Sequence, residues 1–150
     1  MIPSALPAAA LLLSFLTPAS VPVEKAFQAG SPEGLYALLA SGSVLISLPD
    51  PIAFSDQVTR GQALLLFRRV FAGFKTIEFR SEGPASAPAG RPGGILKARW
   101  LVHDAGTGVR DEFRVFFYLI REPPARGRGT GLPASPWRIL EIRAERLGPA

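Results

Sequence analysis

Apolar and polar residues alternate most regularly in Gly94–Arg121, where two long runs flank Ala105-Gly106-Thr107-Gly108. Small, Gly-rich residues between two alternating runs predict a β-hairpin. In Ile95–Asp104, Leu96, Ala98, Trp100 and Val102 share one side, opposite Ile95, Lys97, Arg99, Leu101 and His103. In Val109–Arg121, Phe113, Val115, Phe117 and Leu119 share a side opposite Glu112, Arg114, Phe116, Tyr118 and Ile120. A period of two with one wholly apolar side predicts a sheet covered on one face only. Both runs exceed the usual strand length of ~5–6 residues, which predicts a strongly curved sheet.

The cover is predicted in Arg60–Gly73. There Ala63, Leu66, Phe67, Val70, Phe71 and then Phe74 recur at helical spacing, behind Thr59 as N-cap. Two shorter helices are expected earlier. One is Val23–Ala29, ended by Gly30; the other starts at Ser31-Pro32-Glu33, turns Leu35, Leu38 and Leu39 inward and ends near Ser41-Gly42. Ser43–Leu48 reads as a strand stopped by Pro49-Asp50-Pro51, with a loop from there to Thr59. Lys75–Glu82 and Trp137–Leu147 complete the set. Their expected inward residues are Ile77 and Phe79 in the first, and Leu140, Ile142 and Ala144 in the second, with Ile139 outward. Gly83–Gly94 and Glu122–Pro136 are too rich in Pro and Gly to be elements. Helices first and long strands last give an α+β class.

The chain has 150 residues, enough for one domain with a real core, and its 47% hydrophobic and 19% charged residues are those of a globular protein. A net charge of +5 could suggest an anionic partner, but along the strands the basic residues alternate with acidic ones. The absence of Cys excludes disulfides, thiolate metal sites and a cysteine nucleophile. Met1–Ser20 has no charged side chain, and Ala5–Leu16 has the length of an export-signal core, so residues 1–19 read as a signal peptide cleaved after Ala19 and 20–150 as one domain. A retained membrane anchor is the competing reading. It needs ~20 apolar residues, and Pro3, Pro7 and Pro18 crowd this shorter stretch. The mature protein is therefore expected in the periplasm or outside the cell, with no stable membrane span.

The segment Glu24-Lys25-Ala26-Phe27-Gln28-Ala29-Gly30, followed by Gly34-Leu35-Tyr36-Ala37-Leu38-Leu39-Ala40, resembles the opening of the nuclear transport factor 2-like superfamily. The later Arg60–Phe74 helix and the four closing strands fit the same pattern, and the likeness covers Val21–Leu147. More narrowly it is similar to small exported bacterial members of unknown function. The resemblance implies a cystatin-like cone: a curved antiparallel sheet wrapped around N-terminal helices, with a ligand or active-site pocket at its mouth in many members. It implies no reaction, since such folds host enzymes, binding modules and assembly domains alike.

Isomerases and cyclases of the superfamily use a buried carboxylate base, yet none of the inward strand residues assigned above is titratable. Asp50 and Asp56, with Tyr36 nearby, are the remaining catalytic candidates, and Asp50 between two prolines reads first as a strand-stopping turn. Phe67, Phe71, Trp100, Phe113 and Phe117 are expected to line an apolar pocket that could hold a hydrophobic small molecule. His103, the one histidine, reads as a surface residue; no metal site or cofactor is expected. Gly127-Arg128-Gly129-Thr130-Gly131 lacks the Lys-Ser/Thr of a phosphate loop and reads as a linker. Nucleic acid is not an expected partner, because Glu78, Glu112, Glu141 and Glu145 share the outer face with its cations. Leu101, Phe116, Tyr118 and Ile120 are apolar in the outward register, which suggests a homodimer interface; superfamily relatives commonly pair through that surface. Two readings stand: an exported noncatalytic binding or assembly module, or a small isomerase or cyclase using a loop aspartate.

Overall fold

The computed structural model describes residues 20–83, 93–122 and 137–150. The expected signal peptide with its expected cleavage site, and the segment 127–131 read as a linker, lie outside the described residues. Among the described residues three helices precede or interrupt a six-stranded sheet: α1 (20–29), α2 (Pro32–Tyr36), β1 (Val44–Leu48), β2 (Phe54–Val58), α3 (Arg60–Gly73), β3 (Phe74–Ser81), β4 (Gly93–Asp104), β5 (Arg110–Arg121) and β6 (Trp137–Pro149). The strands run in the order β2-β1-β6-β5-β4-β3. Neighbours are antiparallel except β1 and β6, which are parallel. The result is the α+β cone that the sequence implies.

Local chemistry sets the helix ends. α1 closes in a Schellman arrangement: Gly30 takes φ 58°, its amide donates to Phe27 O, and the Ser31 amide donates to Ala26 O. Ser31 caps α2 from its side chain, and Thr59 and Gln62 form a reciprocal capping box at α3. α3 spans the predicted residues and buries Ala63, Phe67, Val70 and Phe71.

Several expectations are corrected. α2 stops at Tyr36 rather than near Ser41, and Leu39 reaches the core through a parallel bridge to Ile139. The expected loop before Thr59 contains β2, an edge strand whose centre is the polar Ser55-Asp56-Gln57. Ile77 and Leu140 point outward, at 45% and 41% exposure, while Ile139 is buried. Both shifts have one cause: a bulge in β3 between Thr76 and Glu78, and one in β6 opposite Tyr118/Leu119, each insert a residue and reverse the parity beyond it.

The core lies between the helices and the inner sheet face. Trp100, Phe113, Val115 and Phe117 are at most 1% exposed, as are Phe27 and Phe67. Burying each large side chain contributes roughly 1.5–3 kcal/mol. Gly93 is required where β4 approaches β5, because a Cβ there would lie 2.5 Å from Leu119 O. The Gln28 side chain donates to Phe79 O at 2.9 Å, and Glu24 accepts from the Ser81 amide at 3.0 Å, fastening α1 along β3.

Candidate functional site

The inside of the cone is built around Phe27. Its ring meets those of Phe67, Phe71, Phe79, Trp100 and Phe117 with centroids 4.5–6.1 Å apart, stacked on Phe79 and edge-on to the others. Trp100 also leans on Phe113 at 5.7 Å, and its indole N–H donates to Thr76 Oγ1 at 2.9 Å. Phe67, Phe71, Trp100, Phe113 and Phe117, expected to line a pocket, thus pack against one another and against α1. Phe27 sits at the crossing point; its place in the Val23-Ala26-Phe27 helical stripe is the sequence signal for it.

The inner face does carry one carboxylate outside the candidates read from the sequence. Asp111 is 2% exposed, two residues before Phe113 on the same side of β5. Its Oδ1 accepts both Nε (2.9 Å) and Nη2 (2.6 Å) of Arg146. A bulge in β6 next to Leu147 leaves Arg146 opposite Phe113 and able to reach it. Continuing the Phe113–Leu119 alternation one step back points to this residue. Held by a guanidinium on one oxygen, Asp111 closes the end of the core as the buried half of an ion pair.

The three catalytic candidates lie apart in role. Asp50 is exposed in the turn between β1 and β2. Asp56 is exposed on β2, and its carboxylate accepts the Gln57 amide at 2.7 Å. Tyr36 is half-buried beneath the Arg60 guanidinium, 4.4 Å from its ring centroid, and Arg60 also donates to Tyr36 O at 3.2 Å. Among the described residues no hydrogen bond or ion pair joins any two of the three. No group of three potential metal-ligating side chains occurs among the described residues.

The outer face is organised in rows set by strand register. Ile95 pairs with Tyr118, and Lys97 with Phe116; Ile120 adjoins them two residues along β5. The next row places Arg80, Arg99 and Arg114 side by side on β3, β4 and β5. Three like charges in line would repel. Glutamates separate them: Glu82 lies 3.4 Å from Arg99 and 3.1 Å from Arg114, Glu112 is 2.8 Å from Arg99, and Glu145 is 3.2 Å from Arg114. The hydrogen bond from Arg114, followed by the charges of Arg114 and Arg99, holds Glu82 below the usual glutamate range. Leu101 falls beyond this charged row, away from Phe116, Tyr118 and Ile120. It faces instead a recess of about 280 Å³ also lined by Glu78, Arg80, Arg99, Glu112 and Ala150.

Solved structures share this architecture. A putative dehydratase from the NTF2-like family of Streptomyces avermitilis superposes with a TM-score of 0.65 at 14% identity, covering 93% of this chain and 98% of its own. The fold is nuclear transport factor 2-like. A ketosteroid isomerase-like protein from Erwinia carotovora gives 0.64 at 13% identity, covering 91% and 97%. A DUF4783 family protein from Bacteroides ovatus gives 0.59 at 16% identity, covering 85% and 94%. At these identities the likeness establishes the nuclear transport factor 2-like fold and leaves the chemistry to the residues. No protein-family model and no curated protein matches the chain.

Proposed function

We propose that this chain is an exported, noncatalytic binding or assembly module that works through the outer face of its sheet. The observation that carries the reading is Phe27, whose ring occupies the middle of the cone in contact with five others. A core filled from within serves as a rigid support, which favours assembly over storage of a hydrophobic small molecule inside the cone. The apolar side chains of Phe116, Tyr118 and Ile120 fit contact with a second copy of the chain. Their opposite-face neighbours Val115, Phe117 and Leu119 already fill the core.

The alternative is a small isomerase- or dehydratase-type enzyme. It is favoured by the names of the solved neighbours and would use Asp50 or Asp56 at the β1–β2 end of the cone. Native mass spectrometry of the protein recovered outside the cytoplasm separates the two. The module reading expects a two-chain species carrying no small molecule. A monomer carrying a polar metabolite that Asp50→Asn or Asp56→Asn releases would overturn it in favour of the enzyme.

A further inference from the structure

Charges of both signs line the recess on Leu101, and strand register sorts them into two rows. Glu78, Leu101 and Glu112 lie side by side on β3, β4 and β5, so a carboxylate stands on either side of the leucine. The adjacent row puts Arg80 beside Arg99. Two residues along a strand span about 7 Å, so the recess has an anionic side that holds the leucine and a cationic side close by.

Hydrogen-bonding capacity is left over on both sides. Arg80 approaches Glu78 Oε1 at 3.4 Å, and both side chains are more than half exposed, so this pair opens at little cost. Among the described residues the Arg80 guanidinium donates no hydrogen bond. Glu112 Oε1 accepts from Arg99 Nη1 at 2.8 Å, while Oε2 of Glu112 and of Glu78 accepts from no described residue. Lys75, His103 and Arg110 form the next outward row but do not line the recess. Among the described residues neither Lys75 nor Arg110 is within ion-pair distance of Glu78 or Glu112.

A simple anion in this recess would meet two glutamates, and a simple cation would meet two arginines. A molecule carrying both charges sets each against its opposite. A volume of about 280 Å³ is at the lower limit of ligand sites, so only a small molecule fits. We propose that the recess binds an α-amino acid with a short aliphatic side chain. Its ammonium donates to the glutamates that flank Leu101. Its carboxylate accepts from Arg80, whose planar guanidinium suits two-point contact. Its side chain covers Leu101. The Arg80–Arg99–Arg114 row separates this site from Phe116, Tyr118 and Ile120, so the inference goes beyond the assembly reading and holds for one chain or two.

The test is an amide chemical-shift titration of the whole protein with free leucine at neutral pH. Isocaproate, which lacks the ammonium, and isoamylamine, which lacks the carboxylate, serve as partial ligands. Expected are shifts centred on Glu78, Arg80, Leu101 and Glu112, and weaker binding of both partial ligands. Arg80→Gln should weaken leucine by about two- to fivefold and leave isoamylamine no weaker. The Glu78→Gln/Glu112→Gln double variant should weaken leucine at least as much and leave isocaproate no weaker. Unchanged leucine affinity in either variant overturns the proposal, as does the absence of any shift. A partial ligand that binds as tightly as leucine overturns it by showing that one charge suffices. Shifts centred on Phe27 and Trp100 overturn it too, and would return the ligand to the cone.

Discussion

The ring of Phe27 stacks on that of Phe79 with centroids 4.5 Å apart and planes 21° from parallel. The contact ties the first helix to the far end of β3, and the other aromatic rings of the core gather around it. Phe27→Ala should therefore cost about 3–5 kcal/mol, as should Phe67→Ala and Phe117→Ala, each leaving a cavity in a packed interior. His103→Ala should leave stability nearly unchanged. Denaturant melts read the ranking, and a costlier His103→Ala would contradict it.

The Asp111–Arg146 pair should outweigh the equally short Arg143–Glu141 pair, because only Asp111 is buried. Arg146→Met would strand a carboxylate in the core, at a cost of about 1–3 kcal/mol. Arg143→Met acts on an exposed arginine and should cost less than about 1 kcal/mol. Urea midpoints of the two variants make the comparison.

Acid should destabilise the fold in a way traceable to Glu82 and Glu33. Both sit below the ordinary value of 4.5 in the folded protein: Glu82 chiefly through the Arg114 hydrogen bond, Glu33 chiefly through a backbone hydrogen bond and then Arg68. A lowered folded value means the unfolded chain binds protons first. The contribution is thus complete above the unfolded value and is lost as pH falls through the folded one. Stability should decline below pH 4.5, with a shallower decline in Glu82→Gln. Added salt should shrink the effect, because these groups are close to solvent.

Phe116→Glu should convert a two-chain species into a folded monomer, since it would place an unpaired charge in the contact. Sedimentation velocity with circular dichroism reads both outcomes. A wild-type monomer at high concentration would remove this surface from the proposed assembly, and loss of fold in the variant would assign Phe116 a role in the core.

Export predicts that the protein recovered outside the cytoplasm begins at Ser20. Intact mass measures this directly, and retention of Met1 in that fraction would refute the signal.

The elements most legible in the sequence are those whose pattern is long and regular. The β4–β5 hairpin and α3 each hold a single period over more than ten residues, so local pattern and tertiary burial agree. Ile77, Ile139 and Leu140 take the faces opposite to those that simple alternation predicts. One bulged residue reverses every side chain beyond it, and nothing in composition marks where a bulge falls. β2 is hard to read because an edge strand needs few apolar residues. The Asp111–Arg146 pair is hidden for a different reason: alternation points to Asp111, but its partner is 35 residues away and only register brings the two together.

The attachment of α1 along β3 reaches beyond packing. β3 is a terminal strand of the sheet, and the Phe79 carbonyl and Ser81 amide would otherwise be open to a strand from another molecule. Gln28 and Glu24 occupy those two groups, while Asp56 holds the Gln57 amide on the opposite terminal strand. The helix that supplies the central ring is thus also a guard against polymerisation. A molecule whose first helix has come loose loses its core and its protection in one event, so damage at the N-terminal end leads towards aggregates rather than towards a smaller working protein.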